Sequence, residues 1–360
     1  ALLEQHANDL EHLAQLVEIA AAANSGLRCA IPLEQALNST FDAPVVQKPI
    51  MVIAADGSQI SPDRHAAVEY GVINLGAIHM WLDENRTPEE TTVSRLLYHD
   101  ALHDADGNLL GEDYISLKRD LEERRMLAEL ARAEKTPVVA LTDGPLELYG
   151  QPQQVARFHS LFEEYLQALA GMAGQRCAPA GYVDKPRADL VVRLLELTEL
   201  TPEELSASSS RGLRRLQGVR DLDLFAARLQ PGQRTAVFGL QSGSRKDYTG
   251  ALALHFFYLN VGTERHPTLA RVEIPAWVAN NPFLLDQAHA VLVHQSRQIG
   301  ARRYPYALHR AHEIAVVHFE EREQLETMIQ MEMRARGLEA GERSNKQSNK
   351  DLPTSRTRYE

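Results

Sequence analysis

Two short apolar runs constrain this chain more than anything else in it, because each breaks off on the same dipeptide. "PIMVIAADGSQI" (residues 49–60) and "PVVALTDGPL" (residues 137–146) read as buried β-strands that run into Asp56-Gly57 and Asp143-Gly144. A carboxylate at the mouth of an apolar strand is costly to desolvate unless a proton, a partner or a cation compensates it. Between the two runs, "DYISLKRDLEERRMLAELARAEKT" (residues 113–136) has the composition and spacing of a long helix, ended by Pro137. A strand, a helix and a second strand of this kind predict an α/β fold in which strand ends gather at one edge, where ligands bind. If the strands are neighbours the two aspartates converge, and oxygen donors held together favour Mg²⁺, Mn²⁺ or Ca²⁺. Taken singly, each Asp-Gly is also an ordinary turn, with Asp accepting backbone N–H groups and Gly supplying positive φ.

The remaining chain organises around this unit. Residues 2–23 show apolar positions at helical spacing, and residues 49–82 fit two or three antiparallel strands. Helices are expected over 152–173, 187–206, 283–299 and 305–337. "AGYVDKP" is expected as a strand or turn, with further strands at "RTAVFGLQSG", "ALHFFYLNVG" and "LARVEIPAWV". The expected division is an N-terminal helical extension (1–48), one main domain (49–337) and a polar, disordered tail (338–360).

A content of 44% apolar and 24% charged residues is that of a soluble globular protein. No run approaches the roughly 20 apolar residues of a membrane span, and the N-terminal segment carries acids where a signal peptide carries bases, so no membrane association is expected. Cys29 and Cys177 are too few for a disulfide framework, which points to a reducing, cytoplasmic setting. The net charge of −11 admits a nucleic-acid partner only if bases are gathered locally. Arg211, Arg214 and Arg215 in the Ser-rich "SASSSRGLRRLQG", with Arg245 and Lys246, are the candidates; Tyr182, Phe256, Phe257 and Tyr258 are candidates for base stacking or for the core.

A metal site would draw a third carboxylate from the intervening helix. Glu129 is the candidate, flanked by Ala128 and Leu130; its ordinary alternative is an ion pair with Arg125 or Arg132. "RRYPYALHRAHEIAVV" adds His312 beside an apolar stripe, and Tyr304 eight residues before it, about two helical turns away.

In this order, "IAADGSQI", the helix before "ALTDGPL", "AGYVDKP", "ALHFFYLNVG" with "RVEIPAWVA", and "YPYALHRAHEIAV" resemble the NurA nuclease family over most of the chain. The resemblance implies an RNase H-like mixed sheet core flanked by helices, a divalent-metal site served by Mn²⁺ with Mg²⁺ as the alternative, and a homodimer. It also implies single-strand endonuclease and 5′ to 3′ exonuclease activity on DNA ends, beside a HerA-type hexameric ATPase in end resection and repair. Position by position it implies Asp56, Asp143, Tyr304 and His312 as catalytic residues, and Glu129 as the helical glutamate with Glu122 and Glu123 competing. Asp56 is then expected to bridge two ions about 4 Å apart, Asp143 and Glu129 to bind one each, and His312 to act as ligand or proton carrier. Arg303 departs from the family pattern, which often has Gly before Tyr-Pro, and adds local positive charge. The rival reading is a catalytically idle adaptor that threads DNA for the ATPase.

Overall fold

The computed structural model describes residues 1–63, 68–82, 86–103, 107–148, 156–174, 176–206, 214–300 and 302–337. Arg211 and the expected tail 338–360 lie outside the described residues. The strands are β1 (Cys29–Ile31), β2 (Thr40–Phe41), β3 (Met51–Ile60), β4 (Gly71–Trp81), β5 (Glu89–Leu97), β6 (Val138–Asp143), β7 (Cys177–Asp184), β8 (Arg234–Thr235), β9 (Phe238–Gln241), β10 (Leu254–Asn260) and β11 (Leu269–Pro275). They form one sheet in the order β1-β9-β10-β11-β7-β6-β3-β4-β5, with β8 pairing to β10 and β2. β3, β4 and β5 are an antiparallel meander, while β6 and β7 add parallel to β3 on its other side. Residues 51–184 thus make an RNase H-like mixed core, which β7 continues antiparallel into β11.

The alternation of side chains divides the interior into two layers. Met51, Ile53 and Ala55 of β3, with Val138 and Ala140 of β6, pack under the helix Glu112–Ala133. Val52 and Ala54, with Val139 and Leu141, face the helices Pro282–Ser296 and Tyr306–Ala315. Both central strands are apolar on both faces, as parallel strands covered by helices must be.

Several elements differ from expectation. β3 does not stop at Asp56 but runs on to Ile60, because Gly57 is extended and stays paired with Leu75. β6 does end at Asp143, and Gly144 turns the chain with φ +88°. The segment before residue 49 holds the helix Leu10–Ala23 and also β1 and β2, which join the main sheet. The helix expected over 305–337 is two, Tyr306–Ala315 and Phe319–Ala335; the His318 N–H donates to Glu321 at the start of the second. β5 carries no apolar stripe because it is an edge strand whose residues are mostly exposed.

One close contact governs how the helix Tyr306–Ala315 lies on the sheet. Gly76 of β4 faces that helix directly: a Cβ there would stand 2.5 Å from Ala315 N and 2.8 Å from Ala311 O. Ser58 Oγ and Asn74 Nδ2 both donate to the Ala315 carbonyl, at 2.5 and 2.8 Å, satisfying an acceptor left open at the helix end. Gly76→Ala is expected to lower unfolding free energy by about 1–3 kcal/mol, since the overlap is with backbone that has no rotamer to yield. Gly174→Ala, where a Cβ meets nothing within 4 Å, is the control and should be near neutral in urea denaturation.

Candidate active site

Ala55 of β3 pairs with Thr142 of β6, so Asp56 and Asp143 follow as lateral neighbours, and the strand alternation puts both side chains on the face of the helix Tyr306–Ala315. His312, held over β3 by the Gly76 contact, reaches Asp56 with Nδ1 2.7 Å from Oδ2. The ionised carboxylate only accepts, so Nδ1–H donates. Asp56 is 18% exposed and His312 63%, which leaves the rest of the ring facing solvent. The Tyr304 hydroxyl donates to Asp143; burial and the Asp143 charge push its pKa far up, so it remains a phenol. Asp143 keeps an exposed edge, yet desolvation raises its pKa above the usual aspartate value. The Tyr304 hydrogen bond opposes that rise and the charge of Asp56 adds to it. Asp184, at the end of the next parallel strand, raises it further and is a carboxylate that sequence reasoning did not single out.

The third carboxylate comes from the other face. A Cβ on Gly57 would lie 2.7 Å from Glu123 Oε1 and 2.6 Å from Arg119 Cγ. Gly57 therefore serves not a turn but the passage of a helical side chain through to the level of Asp56. Glu123 is only 8% exposed. Burial, then Asp120, push its pKa up to about 8, Arg119 opposes, and Asp56 adds to the rise. Glu123 and Asp143 line one cleft of about 370 Å³, together with Asp120 and Arg119. Arg119 Nη2 lies 2.8 Å from Asp120 Oδ1 and its Nε 3.3 Å from Glu123 Oε1.

Glu129, the glutamate chosen from sequence, is exposed and does not line this cleft. Six residues on from Glu123 at about 100° each turn it to another side of the helix. Glu122 is buried but engaged elsewhere, with Arg95 Nε at 2.9 Å and Arg125 Nη1 at 2.8 Å. The structure thus gathers Asp56, Asp143, Tyr304, His312 and Glu123, and leaves Glu129 out. No signal in the sequence marked Glu123, because Gly57, which leaves room for it, reads in an Asp-Gly pair as a turn.

The candidate DNA-contacting bases are mostly occupied. Arg214 pairs with Asp189 and the fully buried Glu196, Arg215 with Glu204, and Arg245 with Glu18. Lys246 is exposed, and Arg211 lies outside the described residues. Tyr182, Phe256, Phe257 and Tyr258 are all core residues with no surface for a base.

The donors at the site fit a hard divalent cation in kind: three carboxylates from three elements, two of them with pKa values raised partly by the charge of Asp56. Among the described residues, no group of three or more His, Cys, Asp or Glu lies close enough together to hold an ion; His312 pairs with Asp56, Tyr304 with Asp143 and Arg119 with Glu123. A raised pKa in the folded state means that folding retains a proton which the unfolded chain releases, so this contribution weakens as pH rises from about 4.5 to about 8. In chelator, the stability of the wild type should fall across that window, and Glu123→Gln should flatten the fall. Parallel denaturation curves for the two proteins would show that Glu123 ionises normally.

The NurA domain model matches residues 51–317, well over half of the chain. The crystal structure of the NurA nuclease from Sulfolobus solfataricus superposes with a TM-score of 0.52 at 10% identity, covering 92% of this chain and 97% of that one. LC9-RNase H1 (TM-score 0.24, 15% identity, 52% of this chain and 84% of that one) and Drosophila Piwi (0.31, 13%, 76% and 30%) score too low to bear on the fold. No curated protein sequence matches the chain. No helix among the described residues is long and apolar enough to cross a membrane. The domain match, together with a superposition over nearly the whole of both chains, makes this chain a member of the NurA family.

Proposed function

We propose that this protein is a divalent-metal-dependent deoxyribonuclease, a single-strand endonuclease and 5′ to 3′ exonuclease that works as a homodimer beside a HerA-type hexameric ATPase in DNA end resection. The observation that carries the nuclease reading is the arrangement of Asp56 and Asp143, lateral neighbours on one sheet face, with Glu123 brought to them through the gap at Gly57. The finer terms, including strand polarity, manganese and the ATPase, rest on the family resemblance. Asp56, Asp143 and Glu123 would hold the cation, Mn²⁺ or Mg²⁺, which supplies charge stabilisation at the scissile phosphate and a lowered pKa for water.

The chain's own residues have separable tasks. Tyr304 orients Asp143 by its hydroxyl, which burial and the Asp143 charge keep protonated. His312 is steadied through Nδ1 by Asp56, and its other nitrogen is left to carry a proton on the solvent side, where the substrate arrives. Arg119 lies against Asp120 and Glu123 and offsets the acidity of the cleft. The intact acidic positions favour an enzyme over an idle adaptor.

With labelled single-stranded DNA and Mn²⁺, Asp56→Asn, Asp143→Asn and Glu123→Gln should each lower the cleavage rate roughly 10²-fold or more, about 3 kcal/mol of transition-state stabilisation. Glu129→Gln should stay close to wild type. Wild-type protein that leaves the strand uncut, with Asp56→Asn changing nothing, would favour the adaptor.

A further inference from the structure

Acidic side chains crowd one side of the site. The cleft at Glu123 is also lined by Asp113, Asp120, Asp143 and Glu147. Its two arginines are committed, Arg119 to Asp120 and Glu123, and Arg124 to Thr142 Oγ1 at 2.7 Å and the Tyr165 hydroxyl at 3.0 Å. On the opposite face, the chain leaving the helix Pro282–Ser296 passes Arg297, Arg302 and Arg303 and runs directly into Tyr304. Arg297 and Arg302 are exposed and Arg303 is half-buried. Among the described residues none of these three has a carboxylate partner, whereas Arg28, Arg95, Arg214, Arg245 and Arg310 all do.

Three guanidinium groups without a carboxylate partner among the described residues thus stand within seven residues of one another in a chain of net charge −11. Arg297 lines a groove of about 440 Å³ together with His294 and Gln298, while Arg302 and Arg303 lie along the chain that leads from it to Tyr304. The segment is also tied to the catalytic centre. The Tyr182 hydroxyl donates to the Arg303 carbonyl at 3.4 Å, and its ring packs edge-on against Tyr304, 5.5 Å between centroids, while Tyr304 holds Asp143.

We propose that Arg297, Arg302 and Arg303 form the phosphate track along which a single DNA strand reaches Asp56 and Asp143. The proposal rests on the nuclease reading above and replaces the 211–215 segment as the main basic contact. Contacts of this kind bind the backbone irrespective of sequence and reveal themselves in salt dependence.

The test is fluorescence anisotropy of a labelled single-stranded oligonucleotide, titrated with the full chain in chelator at several salt concentrations. The combined Arg297→Ala, Arg302→Ala and Arg303→Ala variant should bind at least about tenfold more weakly, and its log K against log salt slope should fall by about 2, near 0.7 for each lost contact. The corresponding triple lysine variant should keep the slope. Arg132→Ala and Arg265→Ala, at exposed arginines elsewhere, should change neither quantity. If the alanine triple does not fold, each single variant should still lower the slope by about 0.7. A wild type that cuts DNA while the triple variant keeps full affinity and slope, or that cuts without salt-dependent binding, overturns the track alone. A wild type that neither binds nor cuts single-stranded DNA in Mn²⁺ overturns the nuclease reading and the track with it.

Discussion

Two missing side chains, at Gly57 and Gly76, allow helices to close on the same strand pair from opposite faces, and the site depends on that double contact. Gly57 follows Asp56 in the chain and Gly76 is its register partner on β4. A Cβ at either position would overlap its helix, on the one side Arg119 and Glu123, on the other the backbone of residues 311–315. Glu123 and His312 therefore approach Asp56 from above and below, on rigid helices rather than on loops. Interiors are packed to crystal-like density, so such placement tolerates little drift.

The charges assembled this way oppose folding while they serve chemistry. Glu123 is held protonated well above its ordinary range, and Asp143 is raised while leaning on Tyr304. Arg119 and His312 occupy positions that soften the repulsion among the carboxylates. A group of acids that is satisfied only partly by protons and side chains is poised to accept a cation, and its strain is a cost carried for function.

Much of this was legible in the residues. The apolar runs before Asp56 and Asp143 specified two strands, though only the structure shows them side by side, and the apolar stripe beside His312 specified the helix over them, which begins after Tyr304. The helical glutamate was not legible, because "EERR" looks like a solvated face when Glu122, Glu123 and Arg124 are in fact buried by interactions across the fold. Gly57 in an Asp-Gly pair imitates a turn, and only the neighbouring helix reveals its use. β5 escaped notice since an edge strand needs no apolar stripe. Arg214 looked free in the sequence because its partners, Asp189 and Glu196, stand 25 and 18 residues away in the chain.

The central claim is that Asp56, Asp143 and Glu123 converge on a cation through the space left by Gly57. Anomalous diffraction from crystals grown with Mn²⁺ tests it most directly. The account requires a manganese peak bounded by those three carboxylates, with Arg119 displaced from Glu123. A peak coordinated by Glu129 or Glu122 instead, or none at this position under saturating Mn²⁺, would contradict it.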